Sequence, residues 1–163
     1  MKVFDYIQLL FAIALSQSAG LLGALFTSSS VTTWYPTLVK PALNPPAWVF
    51  GPVWTILYVF MGIAAFIVWR VYQKSSGAKK RFARTALVLF VLQLVLNAWW
   101  SIIFFGQQQL GWALLEVVCL WVAIAATIYY FARISRTTLW LLAPYLAWVS
   151  FASYLNYSLW MLN

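Results

Sequence analysis

The sequence contains no histidine, one cysteine and only two acidic residues among 163. Without histidine, the commonest general base and metal ligand is missing. The two acids, Asp5 and Glu116, lie far apart in the chain and argue against a carboxylate dyad or an acidic metal cluster. No metal site is expected and no cofactor is required. Cys119 alone cannot form an intramolecular disulfide, so cysteine usage says nothing about redox compartment. Charged residues make up 7% of the chain, against about 25% in a soluble domain. That is too little to cover a water-facing surface.

What the chain has instead is apolar and aromatic. It is 65% hydrophobic and 20% aromatic, with 11 Trp, 9 Tyr and 12 Phe, and its mean hydropathy is +0.88. This is the composition of an integral membrane protein. Five apolar segments reach the ~20 residues that one crossing needs. They lie near residues 4–27, 46–70, 82–105, 108–132 and 138–161, which predicts an all-α bundle of five transmembrane helices forming a single membrane domain over 1–163. The first segment lacks the short apolar core and small-residue cleavage site of a signal peptide, so it is expected to be a retained helix.

The formal charge of +8 does not point to nucleic acid. With five crossings, Lys2, Arg70, Lys74, Lys79, Lys80, Arg81, Arg84, Arg133 and Arg136 fall on one face and Lys40 alone on the other. Such a bias marks the cytoplasmic side. The N-terminus is therefore expected inside and the C-terminus on the opposite face. Arginines near helix ends are expected to snorkel to that interface. Helices 3 and 4 are separated by about two residues, Gly106 and Gln107, which makes them antiparallel neighbours. The connection expected at 28–45 is long for a bundle, and its Trp34, Tyr35, Pro36 and Pro41 favour a lid.

Candidate functional residues emerge from depth. Phe50, Trp54 and Tyr58 share one face of helix 2, with Pro45 and Pro46 at its start. Helix 3 offers Gln93, Asn97, Trp100 and Phe104. Helix 4 offers Gln108, Trp112 and Glu116, and helix 5 offers Tyr145, Trp148, Ala152 and Leu155. At 1.5 Å per residue, Trp54, Asn97 and Glu116 all lie about 12 Å below the outer surface. Aromatic, polar and small residues from all five helices thus converge beneath the 1–2 connection, as in a pocket between helices. Glu116 is the one acid within a span, where ionisable groups are costly, and Asn97 at matching depth is its expected partner. By depth, Trp34, Trp48, Trp99, Trp112 and Trp160 suit an interfacial belt. Trp121 is expected in the core, while Trp54 and Trp148 fit core packing and ligand contact equally. Ala12, Ser16, Gly20 and Ala24 recur at i+4 on helix 1. Such small residues let backbones approach within a bundle, or form a dimer seam or a thin wall beside a ligand.

Three blocks, "WYPTLVKPALNPPAWVFGPVWTILYVFMGIA" (34–64), "LNAWWSIIFFGQQQLGWALLE" (96–116) and "PYLAWVSFASYLNYSLW" (144–160), resemble the translocator protein family, called tryptophan-rich sensory protein in bacteria. The resemblance covers almost the whole chain. It implies a five-helix bundle, usually a homodimer, that binds porphyrins such as protoporphyrin IX and heme, sterols in some members, and benzodiazepine-type ligands. Carried over by matching position, the ligand-binding residues would be Ala24, Tyr35, Trp48, Phe50, Gly51, Trp54, Asn97, Trp100, Trp112, Trp148, Ala152 and Leu155. The function so implied is that of a porphyrin or tetrapyrrole sensor, carrier or transporter. The alternative is a light-dependent porphyrin-degrading enzyme using Trp54 and Trp148. Transport ranks behind binding, because no internal repeat is visible. Two departures from relatives stand out. Ala42 and Leu43 replace tryptophans common between the Lys-Pro and the Pro-Pro. No Lys or Arg follows Tyr154 or Tyr157, which removes the sterol motif of mammalian members and favours a bacterial membrane.

Overall fold

The computed structural model describes residues 3–163. Five helices account for nearly all of it: α1 (Val3–Thr33), α2 (Phe50–Lys74), α3 (Gly77–Ser101), α4 (Leu110–Ile134) and α5 (Arg136–Leu162). All five are long and apolar enough to cross a bilayer. In hydrocarbon every backbone N–H and C=O must be paired within its own segment, and a helix achieves this. The chain is an integral, multi-pass membrane protein.

The bundle has two unlike ends. One carries the Pro-rich connection from Trp34 to Val49 and the short connection Gln107–Gln109. The other carries the basic turn after Lys74 and the single residue Ser135 between α4 and α5. At the basic end Gly77 adopts φ +55° and opens α3, a conformation that costs glycine nothing. Arg70 does not simply snorkel. It pairs with Asp5 at 2.8 Å, tying α2 to the start of α1. Lys2, counted among the basic residues, lies outside the described residues.

Helix 1 runs to Thr33, so residues 28–33, expected in a loop, are helical. What remains of that connection is partly folded: Tyr35–Thr37 and Ala47–Val49 each form one turn of 3-10 helix. Ser30 helps to extend α1. Its hydroxyl donates to the Phe105 carbonyl of the neighbouring element at 2.7 Å, which rewards helical geometry where the sequence reads as polar loop. Pro46 precedes the second 3-10 turn rather than α2 itself, and its carbonyl accepts from Val49 N at 3.0 Å. α3 does not stop cleanly either. It runs into one turn of π-helix, Ile102–Gly106, before the chain reverses.

Helices in lipid gain little from hydrophobicity and associate through close packing and hydrogen bonds. Both are visible here. α1 crosses α2 where Gly62 meets Ile13: a Cβ on Gly62 would stand 2.5 Å from the Ile13 Cα. A Cβ on Gly20 would stand 2.4 Å from the Tyr58 ring, and one on Gly23 2.8 Å from Ser101 Oγ. Of the i+4 stripe on α1, Ser16 is buried and Gly20 is packed on Tyr58, while Ala12 and Ala24 border separate cavities. The core fills with Met61, Ala64, Val68, Phe90, Leu120 and Tyr145.

Candidate functional site

A cavity of about 480 Å³ opens at the Pro-rich end between α1, α2, α3 and α5. Its walls follow from helical spacing. Phe50, Trp54 and Tyr58 repeat every fourth residue on α2 and all reach it, as do Trp148, Ala152 and Leu155 on α5. α1 contributes Gly20, packed on the Tyr58 ring, and Ala24, whose small side chain leaves the space open. The connection adds Tyr35, whose hydroxyl donates to Asn44 Oδ1 at 2.6 Å. Burial raises the Tyr35 phenol above its ordinary value, and the bond to Asn44 partly offsets this.

The aromatic walls touch one another. Trp54 stacks on Tyr58 at 5.5 Å and meets Tyr145 edge-on at 6.0 Å. Phe50 meets Trp148 edge-on at 5.9 Å. On the opposite wall Trp100 stacks on Phe104 at 4.8 Å, and the π turn brings both Phe104 and Phe105 to the cavity. Trp100 is fixed by donating its indole N–H to Asn156 Oδ1 at 3.1 Å. Asn156 in turn donates to the Leu110 carbonyl at 2.9 Å.

The floor is polar. The Tyr58 hydroxyl donates to Asn97 Oδ1. Asn97 Nδ2 donates to the Tyr145 hydroxyl at 3.0 Å, which donates to Gln93 Oε1 at 2.8 Å. This chain of side chains links α2, α3 and α5 through buried groups. One donor on the wall has no such partner: the Trp148 indole nitrogen is buried and unbonded. An unmade hydrogen bond in a buried place is costly, so an acceptor that gained access to this N–H would be held favourably.

Ten of the twelve residues singled out from the sequence border this one cavity: Ala24, Tyr35, Phe50, Gly51, Trp54, Asn97, Trp100, Trp148, Ala152 and Leu155. Two do not. Trp48 sits on the second 3-10 turn and is 75% exposed. Trp112 is 65% exposed, in register with Leu115, Cys119 and Val122 on the outer stripe of α4. Trp112 therefore does not border this cavity, where matching by position had put it. α4 supplies no lining residue, so four helices rather than five converge. Glu116 is buried, but both its carboxyl oxygens lack a hydrogen-bond partner. The expected pairing with Asn97 is wrong because the Asn97 amide is already committed to Tyr58 and Tyr145. Trp121 is not core: it is 38% exposed and donates to Ser150 Oγ at 2.8 Å on the outer surface of α4 and α5. Phe105 and Asn156 escaped notice in the sequence. Phe105 reaches the cavity only through the π turn, which no sequence signal marks beyond Gly106.

Comparison with known proteins fits this arrangement. Residues 12–161 match the TspO/MBR family. This chain belongs to the TspO/MBR family. It is 46% identical over 151 residues to the tryptophan-rich protein TspO of Chlorobaculum tepidum, covering 93% of this chain and 92% of that protein. It is 41% identical to the human translocator protein, covering 86% and 81%. It is 37% identical to the tryptophan-rich sensory protein of Cereibacter sphaeroides, covering 80% and 77%. The TspO/MBR match begins at Ala12 and covers every residue that lines the cavity.

Proposed function

We propose that this TspO/MBR protein binds a porphyrin or related tetrapyrrole in the cavity at the Pro-rich end. The observation that carries the reading is a large aromatic-walled cavity with one buried, unbonded N–H, that of Trp148, and a polar floor. A flat conjugated ligand gains from stacking against faces such as Trp54 and Trp100. Its peripheral carboxylate or carbonyl would accept from Trp148, since the Tyr58 hydroxyl proton and the Asn97 amide are held in the floor's own hydrogen bonds. The cavity volume falls within the range of small-molecule sites. Protoporphyrin IX titrated in the dark should quench tryptophan fluorescence saturably. Trp148→Phe keeps an aromatic ring, removes the donor and should weaken binding about fivefold to tenfold, the worth of one hydrogen bond. Affinity unchanged in Trp148→Phe and in Trp54→Leu would place the porphyrin elsewhere.

A second reading, light-driven degradation of the bound porphyrin, is favoured by the Trp54–Tyr58 stack and the Trp54–Tyr145 contact. An indole against an excited porphyrin donates one electron, leaving an indole radical cation and a porphyrin radical anion, and dissolved dioxygen is the oxidant that opening of the reduced ring would consume. The porphyrin supplies the photochemistry and the protein its position. Illumination separates the readings: porphyrin bands that bleach no faster in the complex than free exclude the enzyme. The basic end is proposed to face the cytoplasm, on the charge bias of its loops. Reporter fusions after Ser76 and after Gln108 should report opposite sides.

A further inference from the structure

A second cavity, of about 380 Å³, lies toward the basic end between α1, α2 and α3. It is separated from the first by the tight α1–α2 crossing at Ile13 and Gly62. α1 is fastened to the far end of α3 and its π turn, where Gly23 meets Ser101 and Ser30 donates to the Phe105 carbonyl. Toward the basic end the two helices leave a wedge. Ala12 and Leu15 form one side, Leu87 and Val91 the other, and Trp69 of α2 stands behind. Phe11 and Val91 at its rim are exposed, so the wedge opens to the bilayer. We propose that it is a binding site for an anionic phospholipid, with one acyl chain in the wedge and the phosphate on Arg84.

The walls suit the chain: apart from Gln8, every lining residue is apolar. The charge at the mouth selects the headgroup. Lys80, Arg84, Leu87 and Val91 fall within about 60° of one another around α3, at 3.6 residues per turn. Arg84 stands one turn from Leu87 and about 10 Å along the helix from Val91. α3 begins at the basic end, and helical side chains lean toward the N-terminus. Arg84 therefore reaches toward the headgroups while Leu87 and Val91 stay in the hydrocarbon. It is exposed, and α3 carries no acid to pair with it. Asp5, the one acid at this end among the described residues, is held by Arg70 at 2.8 Å. A phosphate on Arg84 thus displaces no carboxylate. Lys80 approaches the same mouth from the α2 side. Its ammonium lies over the Tyr72 ring at 5.1 Å, and Tyr72 touches Trp69, which lines the wedge. Arg70, Lys80 and Arg84 together face a single carboxylate. A zwitterionic headgroup would add its own ammonium to that positive excess, whereas an anionic one lowers it.

The test uses the full chain in phosphatidylcholine nanodiscs carrying phosphatidylglycerol with a photoactivatable acyl chain, and maps cross-links by peptide mass spectrometry. Labels are expected on segments 7–15 and 87–91. Unlabelled phosphatidylglycerol should compete better than phosphatidylcholine of the same chains, by about fivefold for each of Lys80 and Arg84. Arg84→Gln should remove about fivefold of that preference. Arg136→Gln should leave it unchanged, since Arg136 is exposed at the same end but lies on α5, which does not line the wedge. Ala12→Phe should suppress labelling of 87–91 by filling the space. Equal competition by the two lipids in the unmodified protein overturns the proposal without recourse to any variant. So does a preference that survives Arg84→Gln, or one that Arg136→Gln reduces as much, which would mean a diffuse attraction to the basic end. Labels absent from both segments, or undiminished in Ala12→Phe, overturn the wedge as the place of the chain.

Discussion

Asn97 is the residue whose loss should be felt most widely. It is 4% exposed and its amide makes two hydrogen bonds, accepting from Tyr58 and donating to Tyr145. Asn97→Leu keeps the branched shape and removes both. Each bond between membrane helices contributes about 0.6 kcal/mol on average. The larger cost is the Tyr58 hydroxyl left without an acceptor, about 1–3 kcal/mol for a buried polar group. Tyr145 is less affected, because it still donates to Gln93 at 2.8 Å. The single substitution should therefore destabilise by roughly 2–4 kcal/mol. Tyr58→Phe removes the stranded donor in advance. The double variant should then cost less than the sum of the singles, by about 1–3 kcal/mol, the part of the penalty that belonged to the orphaned hydroxyl. The assay is a reversible unfolding titration in mixed detergent micelles followed by helical circular dichroism, with all four proteins of the cycle. Additivity within about 0.3 kcal/mol would refute the reasoning, because it would mean that Tyr58 and Asn97 do not depend on each other.

Other perturbations test other parts of the structure. Gly62→Ala sets a Cβ against the Ile13 backbone, which cannot rotate away, and should cost about 1–3 kcal/mol as overpacking. A lowered unfolding midpoint in the same titration checks it, and an unchanged one would mean that α1 shifts freely. Asn163 clasps Val39, accepting from its N–H at 2.9 Å and donating to its carbonyl at 3.1 Å. Asn163→Ala should speed hydrogen exchange at Val39 about tenfold while leaving exchange in α2 and α4 unchanged. Tyr35 carries a pH dependence. Its phenol is raised in the folded state by burial, so its contribution is complete below the ordinary value of 10.0 and is lost as pH climbs above it. Alkaline titration should loosen the Pro-rich connection, by hydrogen exchange, in the native protein and not in Tyr35→Phe.

The sequence made depth legible and left direction around each helix partly hidden. Depth needs only a count from the helix end, and it brought Trp54, Asn97 and Glu116 to one level, with Trp148 somewhat deeper. Direction needs to know which neighbour each face meets. On α2 and α5 the aromatic repeats were strict enough to settle that. On α4 they were not. Trp112 and Glu116 are four residues apart and nearly on one face, yet the outer stripe of Leu115, Cys119 and Val122 carries Trp112 with it while Glu116 turns inward. α4 is apolar on every side, so lipid-facing and protein-facing residues look alike. The usual contrast of polar outside and apolar inside does not operate in a bilayer. The same ambiguity put Trp121 in the core. The length of α1 was hidden for another reason. Its last turns are Ser- and Thr-rich and read as loop, but hydroxyls there bond back to the helix itself, as Thr33 does to the Ser29 carbonyl at 2.8 Å, or across to the π turn, as Ser30 does.

The small residues of α1 take on a single meaning once both cavities are considered. Ser16 and Gly20 lie where α1 presses on the bundle; Ala12 and Ala24, one turn to either side, lie where it stands off. An alanine at those flanking positions leaves room that a leucine would fill. The stripe is therefore neither a uniform helix seam nor a uniform wall. It is a close crossing with a recess on each side, one aromatic and hydrogen-bonding at the Pro-rich end, the other apolar with a lone amide at the basic end. Because the crossing is backbone against backbone at Gly62 and Ile13, the two recesses share no side chain. Filling the recess at the basic end by Ala12→Phe should then leave porphyrin affinity at the Pro-rich recess unchanged, and a changed affinity would mean that α1 tilts as a unit and couples the two.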